Sequence, residues 1–529
     1  MYLDYRGIDR YCTDASRTKP LIQCEYAHAM GNSEGGFREY WELIRKYPKY
    51  QGGFIWDFVD QSIRWKGRDG RMIYAYGGDF NRFDPSDQNF CDNGLISPDR
   101  VPNPHMYEVG YYYQNIWVEL REAEGCVLEV YNENFFRDLS NYSLEWELLA
   151  DGKVCRKGAV EELNIAPQER KQVRLGLSVD DQAEYLLNVR FVLKSAEPLL
   201  PAGHVAAYAQ VPLNGYNAPA SAFANIVTNN VPLSLPVIDG TDRQYLPVSG
   251  EGFNILFERS TGNIVRYCAD GVEMLAEGES LTPNFWRAPT DNDFGAGLQR
   301  RYAVWRDPQM RLTSFESGIE DGLAVIRAEY EIAAVSGRLS MTYRINNAGA
   351  VEVTESLTPA DPEARVSNFF RFGMQMPMPK SFERIVYYGR GPVENYSDRK
   401  DSMPLGVYDQ TVTQQFYPYI RPQETGTKSD IRWWRIVDPS GRGLEVTAEE
   451  PFSASALHYR VSTLDEGPVK VQRHSGELNE DPVTNLLIDK VQMGLGCVNS
   501  WGAVPLQDYM LPFGEYTFRF TLTPVKLIL

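Results

Sequence analysis

Apolar positions along the chain change their period once. Over residues 1–118, short apolar runs alternate with segments of helical spacing. Pro20-Leu21-Ile22-Gln23-Cys24-Glu25 is a short run that ends on an acid, and Gly31-Asn32-Ser33 after it supplies a turn and a helix cap. Phe37, Tyr40, Trp41, Leu43 and Ile44 recur at helical spacing. Gly52-Gly53-Phe54-Ile55-Trp56-Asp57 reads as the next strand, and Met72-Ile73-Tyr74-Ala75-Tyr76 as a third, running into Gly77-Gly78-Asp79. Past Pro102 and Pro104 a further helix is predicted to about Asn115. Repeated βα units predict a parallel sheet or barrel. A (β/α)8 barrel takes about 250 residues, so 1–118 is expected to be its C-terminal portion, with open strand edges that another segment or chain would complete.

From there on the period is two. Leu144, Trp146 and Leu148 alternate with Glu145 and Glu147, and Asp151-Gly152 is a hairpin turn signal. With strand-like runs at 126–131, 185–193 and 204–211, residues 119–213 predict an immunoglobulin-like β-sandwich. A stretch rich in Pro, Ala and Asn, 214–242, reads as a linker without regular structure. Residues 243–529 are strand-like throughout, from a hairpin at 253–268 to a run at 515–522, and predict a large antiparallel β-sandwich. The fold class is therefore multidomain: the end of a barrel, a sandwich and a larger supersandwich.

Composition narrows the chemistry. The 529 residues carry a formal net charge of −18, which repels phosphate and disfavours nucleic acid or an anionic membrane as partner. There is no apolar run of about 18 residues and no secretory h-region after Met1, so neither a membrane span nor a signal peptide is expected. Seven widely spaced cysteines without a CxxC argue against a disulfide framework and a thiolate zinc site. Five histidines, none within a helical turn of another, disfavour a His-rich metal centre. Carboxylates are left to carry any chemistry. Asp291-Asn292-Asp293-Phe294-Gly295 superficially suggests a calcium loop, but position 12 would be Tyr302 and not a bidentate acid. Arg432-Trp433-Trp434-Arg435 reads as a strand before it reads as a basic aromatic patch.

Glu25 stands where barrel enzymes place catalytic groups, at the C-terminal end of a strand. Spacing alone allows a duller reading: a capping acid, a satisfied His28 and a core Trp56. The run Leu21-Ile22-Gln23-Cys24-Glu25-Tyr26-Ala27-His28-Ala29-Met30-Gly31-Asn32-Ser33 resembles the nucleophile motif of the large β-galactosidases of glycoside hydrolase family 2. In the family's order follow Gln51 to Asp57, Tyr76-Gly77-Gly78-Asp79-Phe80, Phe90-Cys91-Asp92-Asn93-Gly94, Asn284 to Asp293, and Tyr388 to Tyr396. The resemblance implies a retaining hydrolase of terminal β-D-galactosyl residues with Glu25 as nucleophile. It further implies that His28 binds galactosyl hydroxyls and that Trp56 forms a platform under the sugar. Tyr2 would stand beside the nucleophile, and Trp501 would reach the aglycone subsite. Phe90 and Asn93 would be part of a monovalent cation (sodium) site. The family's acid/base glutamate and its magnesium ligands belong upstream of Glu25, where this chain has only Asp4, Asp9 and Asp14 as acids. The chain alone is therefore expected to be inactive, with a complementing N-terminal half as possible partner and a homo-oligomer as the complete form. The alternatives are a non-catalytic carbohydrate-binding β-sandwich assembly and a β-glycosidase of other sugar specificity, such as a glucuronidase.

Overall fold

A computed structural model describes residues 1–81, 83–216, 223–228, 231–232 and 234–527. The barrel segment contains α1 (Tyr5–Thr13), β1 (Leu21–His28), α2 (Phe37–Lys46) and β2 (Tyr50–Trp56). Strands β1 and β2 are parallel, pairing Leu21 with Tyr50 and His28 with Trp56. Such a pair needs a crossover, and α2 supplies it. Helix α1 begins at Asp4, whose carboxylate accepts from the Gly7 N–H at 2.7 Å. Its Ile8 and Cys12 join Tyr26, Phe37, Tyr40 and Tyr50 in one buried cluster. The same cluster takes in Cys497 and Val498, so the C-terminal unit closes the core of the barrel segment.

Two expectations are corrected here. Met72–Ala75 (β4) is not a third parallel strand: it pairs antiparallel with Ile63–Lys66 (β3). The turn between them closes through Gly67 N–H to Arg71 O at 2.8 Å, with Gly70 at φ +82°. A tight reversal costs less chain entropy than a crossover. Nor does Gly31-Asn32-Ser33 cap α2, whose N-cap is Gly36; Asn32 is fully buried and turned toward the C-terminal unit. Helix α3 (Pro104–Tyr112) forms as expected, with proline in its first turn.

The next unit is a sandwich of two sheets. Ile116–Glu122, Gly125–Asn132 and Arg170–Leu177 make one; Val205–Pro212, Tyr185–Leu193, Tyr142–Ala150 and Lys153–Val160 make the other. Asp151 and Gly152 both take positive φ (46° and 76°), as a two-residue hairpin turn matched to strand twist requires. Alternation sends Leu128, Val130, Leu144, Leu148, Leu187, Val189 and Phe191 into the shared core. Phe191 is fully buried there, so Phe191→Ala should cost about 3–5 kcal/mol. Urea unfolding followed on that unit checks the value; a loss below about 1 kcal/mol would mean that this core does not hold the sandwich together.

The C-terminal unit is a twelve-stranded antiparallel sheet running in sequence from Thr282–Asn284 to Tyr516–Lys526, preceded by a five-stranded sheet. Val237–Ile238 begins that smaller sheet, although 214–242 was expected to lack regular structure. The Val237–Ile238 pair is too short for periodicity to reveal, and edge pairing with Val248 and Ser249 fixes it. Residues 217–222, 229–230 and 233 of the expected linker lie outside the described residues. Among the described residues no helix is long and apolar enough to cross a membrane.

Candidate active site

Glu25 lies near the C-terminal end of β1 and is half-buried. The chain just before α1 crosses it: Tyr2 N–H donates to Glu25 O at 2.8 Å, with Tyr2 in the left-handed region at φ +53°. Burial, and then a hydrogen bond to the Glu25 carboxylate with its charge, push the Tyr2 phenol pKa up, so the phenol stays a donor. Trp56 ends β2 opposite His28 in register, and its carbonyl accepts from Ala29 N–H at 2.9 Å.

Trp501 comes from the far end of the chain. Its ring packs edge-on against Tyr2 at 4.7 Å and against His28 at 5.1 Å. The His28 ring also lies 6.1 Å from Phe90. Together Tyr2, Glu25, His28, Trp56, Phe90 and Trp501 line one open cleft of about 500 Å³, with Met1 and Asn499. Trp56 and Trp501 are 42% and 49% exposed, so both rings have faces free for a ligand. Asn93 does not line the cleft. It is buried behind Phe90, with Nδ2 donating to Phe90 O at 2.6 Å and Oδ1 unpartnered.

The loop after β1 is held from the C-terminal unit. Cys497 O accepts from His28 N–H at 2.8 Å, and Gly496 O from Gly35 N–H at 3.2 Å. Asn32 Nδ2 donates to Tyr396 Oη at 3.0 Å and to Glu424 O at 2.8 Å. The Arg399 guanidinium reaches Ser33 O at 2.6 Å. Gly31 takes φ +59°, and a Cβ there would stand 2.4 Å from the Asp291 carboxylate, so only glycine fits. Helix α4 (Asp291–Gly295) starts at Thr290 with a reciprocal capping box to Asp293. At its end, a Cβ on Gly295 would lie 1.9 Å from Ser500 O; this close approach fixes the backbone beside Trp501.

Two buried titratable groups set the electrostatics, Asp291 charged and His28 neutral. Burial raises the Asp291 pKa, but Lys470 at 2.5 Å and Arg421 at 3.5 Å outweigh it, and Asp291 stays well below the carboxylate range. The acids of 291–293 are thus engaged internally: Asp291 by these cations, Asp293 by Arg287. His28 is pushed down to about 4 by burial, with the Asp291 charge opposing in part. The unfolded chain protonates histidine near 6.5 and the folded chain does not until about 4, so between those values the unfolded state binds the extra proton. The stability contribution is complete above pH 6.5 and falls by roughly 3 kcal/mol on acidification to pH 4. Thermal scans across this window should show wild type losing more stability than His28→Gln; parallel curves would contradict the assigned shift.

Sequence reasoning overlooked Met1 and Asn499 in the cleft wall, and Ser500 and Asn292 behind it. Ser500 donates to Asn292 Oδ1 at 2.6 Å and meets His28 Nδ1 at 2.7 Å. The only signal was the Asn499-Ser500 pair preceding Trp501. Among the described residues no three of His, Cys, Asp and Glu are grouped to hold a metal ion.

Comparison with known proteins accounts for almost the whole chain. Residues 1–118 match the family described as glycosyl hydrolases family 2, TIM barrel domain. Residues 128–214 match β-galactosidase, domain 4, and 249–522 match β-galactosidase small chain. The chain is 34% identical to a β-galactosidase of Priestia megaterium, covering 99% of this chain and 49% of that protein. It is 33% identical to one of Lactobacillus delbrueckii subsp. bulgaricus (95% and 47%) and 31% identical to one of Streptococcus thermophilus (96% and 48%). The chain spans about half the length of the curated relatives it matches. The end of a TIM barrel, a β-galactosidase domain 4 and a small-chain domain follow in order, the first and last of them lining one cleft, and the chain belongs to the β-galactosidases of glycoside hydrolase family 2, as the C-terminal part of that architecture.

Proposed function

We propose that this chain is the nucleophile-bearing portion of a retaining β-galactosidase, active only when a further segment completes the barrel and supplies the acid/base carboxyl. One observation carries the reading: Glu25 is the single carboxylate among the described residues lining the aromatic cleft. A retaining hydrolase needs two carboxyl groups about 5–5.5 Å apart. Apolar side chains exposed on the barrel segment, Ile22, Phe54, Phe58, Ile63 and Trp65, support a completing partner, since a closed barrel would cover such a surface.

In the mechanism, Glu25 attacks the anomeric carbon of a terminal β-D-galactosyl unit while the supplied acid protonates the departing oxygen. Water, deprotonated by that same group, then displaces Glu25 and restores the carboxylate. The Tyr2 phenol orients the carboxylate. Trp56 stacks under the apolar sugar face, His28 contacts a galactosyl hydroxyl, and Trp501 borders the aglycone. Phe90 O and the unpartnered Asn93 Oδ1 fit as two oxygen donors of a monovalent cation site, sodium being the family's usual ion. Such an ion would supply a positive charge at that position. A magnesium site would draw its ligands from the completing segment.

Covalent trapping tests the assignment. A 2-deoxy-2-fluorogalactoside given to the chain together with a complementing N-terminal half should leave a fluorosugar on the peptide containing Glu25. Label on any other side chain refutes the proposed nucleophile.

A further inference from the structure

The hydrogen-bonding sense of His28 is fixed from outside the cleft. Its Nδ1 lies 2.7 Å from Ser500 Oγ, and Ser500 Oγ lies 2.6 Å from Asn292 Oδ1. The Asn292 amide is oriented by two backbone carbonyls, its Nδ2 donating to Leu495 O at 3.2 Å and to Gly496 O at 3.0 Å. That leaves Oδ1, which only accepts, facing Ser500. A hydroxyl has one proton. Ser500 gives it to Asn292 and can only accept from His28. All three side chains are buried, so a reversed arrangement would leave two lone pairs facing each other without water between them.

We infer that Asn292 and Ser500 are positioning residues that lock neutral His28 in its Nδ1–H tautomer and turn Nε2 into a hydrogen-bond acceptor at the cleft. Nε2 has no partner among the described residues, while the ring lines the cleft. His28 therefore receives a hydrogen bond from its ligand: it selects a sugar hydroxyl able to donate at that point, and a carbonyl or fluorine there finds no donor. Both positioning residues belong to the C-terminal unit, 208 positions apart in sequence. The small-chain part of the architecture thereby sets the specificity of a residue carried by the barrel. The ligand's identity as a galactoside rests on the function proposed above; the tautomer does not.

The test reads the tautomer directly in the 529-residue chain. With ¹⁵N-labelled histidine there are five imidazoles to resolve, and His28→Gln assigns the one that disappears. At pH 7.5, long-range proton–nitrogen correlation should show a protonated Nδ1 and a bare Nε2 at His28, with the minor tautomer at least about tenfold less populated. Ser500→Ala should let the Nε2–H form rise to a comparable population, and Ser500→Thr, which keeps the hydroxyl, should restore the wild-type pattern. A predominant Nε2–H tautomer in the wild type, or a Ser500→Ala spectrum unchanged at His28, overturns the inference. An Nδ1–H tautomer in a chain that no complementing half makes active would leave this inference standing and remove the galactosidase reading instead.

Discussion

In a complex completed by an N-terminal half, Glu25→Gln should lower kcat for a nitrophenyl galactoside by about 10⁴-fold or more, with little change in KM. The size follows from what is lost. Glutamine keeps the volume and one carbonyl oxygen, so the sugar still meets Trp56, His28 and Trp501. It has no anionic oxygen to form the glycosyl–enzyme bond, and the two-step route closes. Deletion of a group that forms the covalent intermediate typically costs about 10⁴–10⁶-fold. The wild-type chain without its complement should be as silent as the variant, because no second carboxyl shares the cleft among the described residues. Three rates decide the matter: chain alone, complemented wild type and complemented Glu25→Gln. Equal rates in the two complemented samples would exclude Glu25 as nucleophile and favour a non-catalytic role for this cleft.

What the sequence disclosed depended on the range of the interaction. Tyr142–Ala150 was legible because Leu144 and Leu148 enter the sandwich core while Glu145 and Glu147 between them stay half-buried on the opposite face, which writes itself as alternation. The stretch Leu21–His28 was legible for a different reason: its motif is contiguous, so Glu25 and His28 are fixed by neighbours in sequence. Helix α1 was missed because Tyr5, Ile8 and Cys12 are too few to show a period. Strand β4 was misassigned because an apolar run does not say which neighbour it will pair with. Asn32 looked like a cap, yet its amide satisfies Tyr396 and Glu424, more than 360 positions away. The relay of Ser500 and Asn292 lay beyond any local reading. Polar contacts across a domain boundary have no period and no spacing; they become visible only once β1 and the 493–501 segment are brought together.

That same junction carries a stability effect as large as any expected in the chain. Arg287 is fully buried and makes a two-pronged ion pair with Asp293, at 2.9 and 2.8 Å. Its remaining N–H groups donate to Met493 O at 2.7 Å and Gly494 O at 3.1 Å. Arg287→Ala removes the countercharge from a carboxylate that is 1% exposed and leaves two carbonyls unpaired. Breaking one side of a buried pair costs about 3–5 kcal/mol, as much as truncating a large core side chain. Removing both charges costs less than the single change predicts, because no buried anion is left behind. Asp293 also accepts from Thr290 N–H at 2.9 Å, so Arg287→Met with Asp293→Leu recovers only part of the loss. The damage also reaches the site. Helix α4 loses its anchor, and with it go Asn292 behind Ser500 and Asp291 against Gly31. Chemical unfolding of wild type, Arg287→Met, Asp293→Leu and the double variant should therefore give strongly non-additive losses, the double variant losing less than the sum of the two single ones. Additive losses would show that the pair is not acting as a unit, and that the alignment of 493–501 over the cleft rests on other contacts.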